Sequence, residues 1–355
     1  WSMKTNIILS VCLIVKNEEK VLERCLKPLK HFADEIVIVD TGSTDRTIEI
    51  ASRYTNNIYH FKWNNDFSDA RNFSFSKATG KYIMWLDADD VISEENIVKL
   101  AQIKPKLQAD TYMLKYHTLD EFGSPIFEFF RERIVENCEK AKWNGFIHET
   151  ITPFGKIEYL DITITHKKEK NKDPKRNLKI YKYHIKKGFR LNTREQYYYA
   201  KELFYNDYYS KCVLELKRFL KNTNKFYPNT LDATLTLAKC YELKNKNNMA
   251  LKTLLNGLIE ITPTSEYMCE IGDIFLRLNK IKTAIHYYNF ALTISPQTNT
   301  GQFVNNEYYH FIPKVQLSVC YYSLHEFTMA KKYHDLAKQE NPNNKIIKHN
   351  EQFFK

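Results

Sequence analysis

The stretch EIVIVDTGSTDRTIEIASRY, residues 35–54, joins two patterns that together decide the fold. Its first part, EIVIVD at 35–40, is a short apolar run of the kind that forms a buried strand. Its second part, STDRTIEIASRY at 43–54, has apolar residues at helical spacing. Gly42 stands between the two parts and permits a tight turn. The stretch therefore predicts a strand that is followed directly by a helix.

The same order occurs on both sides of this stretch, over about the first 110 residues. Further strand-like runs are IILSVCLIV at 7–15, NIYHF at 57–61 and KYIMWLD at 81–87. Further helix-like runs are NEEKVLERCLKPL at 17–29 and ARNFSFSKAT at 70–79. Because strands and helices alternate, we expect an α/β fold with a mainly parallel, doubly wound sheet. The ligand site of such a sheet lies at the carboxyl ends of its strands.

The pattern changes after this first part of the chain. Between residues 111 and 166 it consists of the short β-like pieces TYMLKYHTL, IFEFFRERIV and IEYLDITITH, which we expect to complete the sheet and fold over the site. A helix is predicted near 174–188, and beyond it the chain is wholly helical in pattern.

The helical part contains a repeat of 34 residues. Small residues recur at this period. Ala238, Ala250 and Gly257 are followed 34 positions later by Gly272, Ala284 and Ala291. A helix-turn-helix period of this length is typical of tetratricopeptide repeats, in which small residues let paired helices approach closely. We expect about four repeats, and an unrelated helical bundle is the alternative. The predicted organisation is an α/β domain over 3–170, a linking helix over 171–192 and a repeat domain over 193–355.

Composition narrows the class of protein. The 355 residues include 53 Lys and Arg against 42 Asp and Glu, a formal charge of +11 that suits an anionic substrate, a membrane surface or nucleic acid. No zinc-finger or basic-zipper pattern occurs, so nucleic acid is the weaker option. No apolar run approaches the roughly 20 residues of a membrane span. Seven cysteines without a CxxC pair suit reduced core thiols.

The amino terminus predicts no targeting segment. Trp1 and Ser2 precede Met3, which is typical of a cloning remnant, and no signal-peptide pattern follows. We therefore expect a cytoplasmic protein without a membrane span.

The stretch WLDADD at 85–90 places three carboxylates after an apolar strand. In an extended segment, alternate residues point to the same side, so Asp87 and Asp89 are expected to face one point. Two hard oxygen ligands suit Mg²⁺ or Mn²⁺. The alternative is that Asp89 and Asp90 are turn residues before a helix capped by Ser93.

Two other stretches carry polar residues near the same sheet edge. Asp40 ends a strand and is suited to accept hydrogen bonds from a nucleoside base or ribose, and Lys16–Glu18 follows the first strand into the same crevice. Arg71 is a planar, permanent cation suited to a diphosphate, with Asp66 or Asp69 placed to orient it or to reach the nucleoside. The alternative for each stretch is ordinary turn and helix-capping chemistry.

The motifs VCLIVKNEE, VIVDTGSTDRT, DFSDARN and WLDADD, in this order and spacing, resemble the nucleotide-sugar-binding half of inverting family-two glycosyltransferases of the GT-A fold. The resemblance covers roughly residues 7–166 and extends to the branch with tetratricopeptide repeats. That branch includes bacterial peptide S-glycosyltransferases that modify glycocin bacteriocins, and related lipooligosaccharide glucosyltransferases. It implies a UDP-sugar donor, most commonly UDP-glucose, and a Mg²⁺ or Mn²⁺ ion. The expected nucleotide-sugar-binding residues are Val15, Asn17, Glu18, Asp40, Ser43, Asp69, Arg71, Asp87 and Ala88, and the expected metal residues are Asp89 and His166.

An inverting transfer also needs a base on the face of the sugar opposite the leaving diphosphate. The segment WNGFIHE at 143–149 offers Glu149 as the base and His148 for metal, phosphate or acceptor contact, and the two roles are exchangeable. Arg131 and Arg133 either bind phosphate or merely alternate across a strand. The ED pair and the QxxRW-type motif of many family-two enzymes are absent, and WNGFIHE is the nearest substitute.

The repeats suggest the acceptor. Tetratricopeptide arrays present a concave surface that usually receives a peptide, and QYYYAKELFYNDYYSK at 196–211 contains six tyrosines suited to such a contact. We therefore expect a peptide acceptor with Cys or Ser/Thr side chains as the site of transfer. The alternatives are a glycolipid or lipopolysaccharide acceptor, a non-catalytic scaffold and a nucleic-acid-binding module. A homodimer through the repeats is a further option.

Overall fold

The computed structural model describes residues 7–119, 125–167, 173–222, 227–296 and 305–354, without the side chains of residues 119, 125–128, 227 and 228. The chain divides into two compact units, Trp1–Phe189 and Arg190–Lys355. The predicted boundary between residues 170 and 171 lies outside the described residues.

The first unit is built on one large, mainly parallel sheet. Its eight strands run in the spatial order β3-β2-β1-β4-β7-β6-β10-β5, and a two-stranded ribbon, β8-β9, accompanies it. The strands are β1 Leu9–Val15, β2 Glu35–Asp40, β3 Ile58–His60, β4 Tyr82–Leu86, β5 Asp90–Ile92, β6 Thr111–Leu119, β7 Pro125–Glu136, β8 Trp143–Asn144, β9 Thr150–Ile151 and β10 Ile157–His166.

The first four strands in chain order form the parallel half of the sheet. β1 pairs with β2 and β4, and β2 pairs with β3, all in parallel. β7 is antiparallel to both β4 and β6, so the direction of the sheet changes beside β4. The carboxyl ends of β1, β2 and β4 therefore share one edge, next to the point where the strand direction reverses.

Helices cover this half of the sheet, because its strands are apolar and buried. β1 and β4 are buried on both faces, as their continuous apolar runs predict for parallel strands between helices. Four helices belong to this region, namely α1 Leu22–Leu26, α2 Thr47–Ala51, α3 Phe67–Phe75 and α4 Glu94–Ile103. The side chain of Ser93 accepts from the backbone N–H of Asn96 and caps α4, as predicted.

Strand β7 contains a bulge at the place where it faces β6. Tyr112 pairs with Ile134 and the next residue, Met113, pairs with Glu132, so Arg133 is the extra residue on β7. A bulge of this kind bends the strand and turns a side chain away from the regular alternation. Its consequence for the site is described below.

The first unit also includes α5, Arg176–Lys186. Phe146 is buried and stacks on His184 with ring centroids 4.1 Å apart, and it also contacts Tyr181 and Phe189 edge-on. The helix that we predicted as a linker therefore packs against the WNGFIHE segment of its own unit.

The second unit consists of helices within its described residues. They are α6 Thr193–Tyr205, α7 Tyr209–Asn222, α8 Tyr227–Leu243, α9 Asn247–Gly257, α10 Ser265–Arg277, α11 Ile281–Thr293, α12 Glu307–His310, α13 Ile312–Ser323, α14 Phe327–Glu340 and α15 Lys345–Asn350. A Cβ atom at Gly272 would lie 2.7 Å from the ring of Tyr288, and one at Gly257 would collide with the hydroxyl of Tyr267. The small residues of the 34-residue period thus stand where helices approach closely.

Two expectations from composition can be compared with the structure. The seven cysteines are unpaired, and all except Cys138 are buried, as core thiols should be. Among the described residues, helices long and apolar enough to cross a bilayer are absent.

Candidate active site

The loops after β1 and β2 meet at the carboxyl edge of the sheet. Asp40 pairs with Val15 in the sheet register, and its buried carboxylate accepts from the backbone N–H groups of Gly42 and Ser43 at 3.0–3.1 Å. The exposed ring of His60 lies 3.4 Å from the same carboxylate. Asp40 therefore shapes the turn that follows its strand.

Asn17, Glu18 and Ser43 join the two loops to each other. The backbone N–H of Asn17 donates to the Ser43 hydroxyl at 3.0 Å, and the side-chain oxygen of Asn17 accepts from the backbone N–H of Thr44 at 2.8 Å. The backbone N–H of Glu18 donates to the Thr47 hydroxyl at 2.7 Å. Asn17 has φ +55°, a left-handed conformation that asparagine tolerates. These expected donor-site residues are thus held rigidly at the edge.

The DADD segment forms a tight turn and is not extended. The backbone N–H of Asp90 donates to the carbonyl of Asp87 at 3.0 Å, which makes Ala88 and Asp89 the central residues of the turn. The alternation that we used to align Asp87 with Asp89 is therefore wrong here, because it applies only to extended backbone. The side chain of Asp87 is 30% exposed, whereas those of Asp89 and Asp90 are buried.

Asp90 connects the turn to the rest of the site, a role that the sequence did not reveal. One carboxylate oxygen accepts from the backbone N–H of Asp87 and from Arg133, both at 2.9 Å. The other oxygen lies 3.4 Å from the Tyr116 hydroxyl and 3.4 Å from Nδ1 of His166. We predicted that Asp90 serves the following turn, and the structure places its carboxylate among buried groups of β6, β7 and β10.

The partner of Asp90 is the bulge residue of β7. Arg133 is completely buried, with its guanidinium 3.6 Å from the ring centroid of Trp85 and 4.5 Å from that of Tyr116. Within the described residues, its Nε and Nη2 groups have no hydrogen-bond acceptor. The aromatic faces on either side stabilise this cation in place of water.

Arg71 joins the two carboxylates of greatest chemical interest. Its Nε donates to Glu149 and its Nη2 donates to Asp87, both at 2.7 Å. The side chain of Arg71 is 8% exposed, and its guanidinium lies 5.1 and 4.7 Å from the ring centroids of Trp85 and Trp143, which contact each other edge-on. The candidate base and the first carboxylate of WLDADD are thus bonded to one rigid cation.

These ion pairs change the acidity of the groups involved. Burial alone would raise the pKa of Asp87, but the charges of Arg71 and then Arg133 outweigh it and hold that pKa far below its usual range. Burial likewise opposes the charged form of Arg71, and Asp87 and Glu149 outweigh it, so the pKa of Arg71 is raised. Both groups of the Arg71–Asp87 pair therefore stay ionised at neutral pH.

Several contacts fix the segment that carries Glu149. Asn72 of α3 bonds to both backbone groups of Trp143 at 2.9–3.0 Å. The backbone N–H of Phe67 donates to the carbonyl of Phe146 at 2.9 Å. Nε2 of His184 is 2.9 Å from the carbonyl of Asn65, which makes that nitrogen a donor. Helices α3 and α5 therefore position this segment from two sides.

Two other predicted site residues are His148 and Asp69. His148 has φ +51°, a left-handed conformation that directs the chain just before Glu149. Asp69 is exposed in the first turn of α3, where it accepts from the side-chain amide of Asn64 at 2.7 Å.

The residues present fit a divalent cation. Ligand atoms of Asp87, Asp90 and His166 lie within 4.8 Å of one another, and a carboxylate oxygen of Asp89 is 3.4 Å from Nδ1 of His166. Burial lowers the pKa of His166, but its hydrogen bond to Asp90 and the charge of Asp89 outweigh burial and raise it. Carboxylate oxygens with one imidazole suit Mn²⁺ or Mg²⁺. The carboxylates also outnumber the guanidiniums that pair with them, with Asp87, Asp89, Asp90 and Glu149 facing Arg71 and Arg133.

The fold and these residues define the class of protein. Residues 10–123 match the family model of glycosyl transferase family 2, a span that includes Asp40, Arg71 and the WLDADD turn. This part of the chain is therefore similar to a family-two glycosyltransferase domain. Its GT-A-like, mainly parallel sheet and the helical repeats that follow confirm the predicted fold class.

Individual relatives are similar to this chain over stretches of different length. The SPbeta prophage-derived glycosyltransferase SunS of Bacillus subtilis is 28% identical over 274 residues, which is 70% of this chain and 61% of SunS. A TPR repeat-containing protein of Synechococcus elongatus is 46% identical over 81 residues, 23% of this chain and 20% of that protein. The chain thus spans about three fifths of the length of SunS.

Among solved structures, S. aureus TarS 1–349 in complex with UDP-GlcNAc is similar to this chain with a TM-score of 0.39 and 14% identity. The similarity covers 94% of this chain and 92% of that one.

Proposed function

We propose that this protein is an inverting glycosyltransferase that moves a sugar, most simply glucose from UDP-glucose, to a peptide. The observation that carries the proposal is the bridge from Glu149 through Arg71 to Asp87, with both bonds at 2.7 Å. It holds a basic carboxylate beside the acidic turn of a family-two domain. Transfer with inversion needs these two elements together, one at the acceptor and one at the donor.

The donor is proposed to bind along the carboxyl edge of the sheet. The nucleoside lies against the β1 and β2 loops, with Asp40 at the base or ribose, and the sugar and diphosphate lie at the WLDADD turn. The rigid hydrogen bonds between these loops support the proposal, because a preformed site loses less entropy on binding. The residues assigned to this surface are Val15, Asn17, Glu18, Asp40, Ser43, Asp69, Arg71, Asp87 and Ala88.

In the proposed step, the acceptor sulfur or oxygen attacks the anomeric carbon as the bond from that carbon to the diphosphate oxygen breaks. Glu149 takes the proton of the acceptor, and the nucleoside diphosphate leaves with the electron pair of the broken bond. Arg71 keeps Glu149 oriented, and His148 precedes it as the candidate acceptor contact. Asp89 and His166, with Asp90 next to them, are the proposed ligands of Mg²⁺ or Mn²⁺. Such an ion stabilises the negative charge of the leaving diphosphate.

Turnover of the donor tests this proposal. We expect the full chain with Mn²⁺ or Mg²⁺ to release UDP from UDP-glucose, and Asp89→Ala to lower the rate by at least about 100-fold. The exposed Asp161→Ala variant is the control and should match the wild type. If the wild type neither binds nor turns over any nucleotide sugar, the proposal fails.

The acceptor is proposed to be a peptide that is modified on Cys or on Ser/Thr. The helical repeats support it, because such arrays bind extended peptide segments. We further propose that the protein acts in the cytoplasm, where its unpaired cysteines would stay reduced.

Mass spectrometry distinguishes the acceptor classes. The chain is incubated with mixed nucleotide sugars, a set of Cys- and Ser/Thr-containing peptides and a lipopolysaccharide core. A hexose added to a peptide supports the proposal and identifies donor and acceptor atom together. A modified glycolipid beside unmodified peptides contradicts it.

A further inference from the structure

Three guanidiniums lie over the single indole of Trp85. Those of Arg71, Arg131 and Arg133 are 5.1, 5.0 and 3.6 Å from the ring centroid. All three are therefore close to the WLDADD stretch, which begins at Trp85 and contains the turn. They differ in how much hydrogen-bonding capacity remains for a ligand.

Arg71 and Arg133 already make short hydrogen bonds to carboxylates of the site. Arg71 is 8% exposed and makes two bonds of 2.7 Å to Asp87 and Glu149. Arg133 is not exposed at all and bonds to Asp90 at 2.9 Å. Moving Arg133 to a ligand would leave the buried carboxylate of Asp90 without its counter-charge, and moving Arg71 would break both of its short bonds.

Arg131 is in a different situation. Its side chain is 24% exposed, and its bonds to the adjacent Glu132 are long, at 3.1 and 3.4 Å. Its Nη1 group makes no hydrogen bond within the described residues. Glu132 is itself buried, but it also accepts from the backbone N–H of Ile151 at 3.4 Å, so it keeps one donor if Arg131 turns away.

Arg131 is also close enough to the turn to act there. Burial lowers the pKa of Arg131, but the charges of Glu132 and then Asp87 outweigh it and raise that pKa, while Arg71 opposes them. Arg131 thus interacts electrostatically with the same carboxylate that Arg71 binds. A planar cation with a free edge at this position suits the bidentate geometry of phosphate.

We infer that Arg131 binds the diphosphate of the nucleotide donor, and that Arg71 is a positioning residue for Glu149 and Asp87. This inference rests on the proposed function, since it concerns the donor of that reaction. It selects phosphate binding for Arg131, which the sequence left open, and replaces the diphosphate contact predicted for Arg71 with a positioning role.

Binding of uridine, UMP and UDP tests the inference directly. Affinities are measured by calorimetry with Mn²⁺ and again with EDTA, for the wild type and for Arg131→Met. A charge-assisted contact to phosphate predicts a roughly 10- to 100-fold weaker UDP affinity. Uridine affinity should change less than about twofold, because uridine has no phosphate. Arg131→Lys, which keeps the charge, should recover part of the loss.

Two further variants separate this contact from general charge and from Arg71. Lys115→Met removes a cation of similar exposure on the neighbouring strand β6 and should leave UDP affinity unchanged. Arg71→Lys should weaken UDP binding less than Arg131→Met does, while it lowers kcat, as expected for a positioning residue.

The outcomes have distinct meanings. If Arg131→Met and Arg131→Lys bind UDP as the wild type does, or if uridine affinity falls as much as UDP affinity, the inference is wrong. A loss of UDP affinity in Arg71→Lys with none in Arg131→Met returns the diphosphate role to Arg71. A wild type that binds none of uridine, UMP and UDP contradicts the proposed function itself.

Discussion

At the scale of residues, one arginine arranges the two acids of the proposed reaction. Arg71 is bonded to Glu149 and to Asp87 and packs against the indoles of Trp85 and Trp143, so it fixes both carboxylates relative to each other. The bond to Arg71 keeps the carboxylate of Glu149 oriented, which the proposed base needs before an acceptor arrives. The roles of Glu149 and Arg71 can be tested separately.

Glu149→Gln keeps the shape of the side chain and removes its ability to take a proton. We expect kcat to fall by roughly 10²–10⁴-fold, with the donor KM changed only slightly, because a base acts in the transition state. His148→Ala is the matched comparison and should lose less than about tenfold. Steady-state UDP release in the presence of acceptor measures both variants. A larger loss in His148→Ala would assign the base to the histidine.

Arg71→Gln removes the charge that keeps Asp87 ionised. The pKa of Asp87 is lowered in the folded protein, so removal of Arg71 should raise it, and Asp87 should take up a proton at a higher pH. The acid limb of the kcat/KM profile against pH should therefore move to higher pH. Arg71→Lys keeps the charge and should shift the limb less. An unchanged acid limb in Arg71→Gln would show that Asp87 does not control that limb.

At this scale the sequence was only partly informative. The motifs predicted Asp87, Glu149 and Arg71 as site residues, Asp87 because it follows a strand and the other two because of their chemistry and the family resemblance. The sequence could not show that Arg71 joins the other two, since they lie 16 and 78 positions away along the chain. Only the fold brings such distant residues into contact.

At the scale of elements, a tight turn and a strand bulge build the acidic site. The DADD turn brings Asp90 back beneath Asp87, and the bulge in β7 directs Arg133 to meet it. A regular strand alternates its side chains, so a sequence reading assumes alternation and misses a bulge. The buried Asp90–Arg133 pair is the consequence.

A double-mutant cycle measures this pair. Arg133→Met leaves Asp90 buried without its counter-charge and should lower the free energy of unfolding by about 3–5 kcal/mol. Asp90→Asn should also destabilise, and the double variant should lose clearly less than the sum of the two. All four tryptophans lie in the first unit, so their fluorescence reports denaturant unfolding of that unit alone. Additive losses would contradict a direct coupling.

Helix α5 is the second element whose role the sequence concealed. Its helical pattern was clear, but a helix next to a domain boundary is ambiguous in sequence because either unit can bury its apolar face. In the structure it joins the first unit, where His184 stacks on Phe146 and bonds to Asn65. It thereby supports the segment that ends in Glu149.

At the scale of the whole molecule, the two architectures were predictable because each has a strong period. Strands alternating with helices predicted the parallel half of the sheet, and the 34-residue spacing of small residues predicted the helical repeats. The antiparallel part of the sheet was not specified by the sequence, because strand order depends on contacts between distant segments.

The repeat unit also contains a carboxylate whose burial should make stability depend on pH. Burial, then the charge of Asp273, raises the pKa of Glu270 to about 7. Because this folded-state pKa exceeds that of an unfolded glutamate, about 4.3, the contribution of Glu270 to stability is present in acid and is lost as pH rises through about 7.

Glu270→Gln imitates the protonated form and should be more stable than the wild type at pH 8, by about 1–2 kcal/mol, and similar to it at pH 5. Thermal unfolding followed by far-UV circular dichroism measures this difference. The exposed Glu326→Gln is the control and should behave as the wild type at both pH values. A Glu270→Gln variant that is less stable than the wild type at pH 8 would contradict the argument.

The most direct test of the central claim is the anomeric configuration of the product. If Glu149 deprotonates an acceptor on the face opposite the leaving diphosphate, the α-linked sugar of UDP-glucose must become β-linked on the acceptor. Proton NMR of the purified product measures the coupling of the anomeric proton and reports this configuration. The account predicts a β-linked product. An α-linked product, or no transfer from any nucleotide sugar, would contradict it.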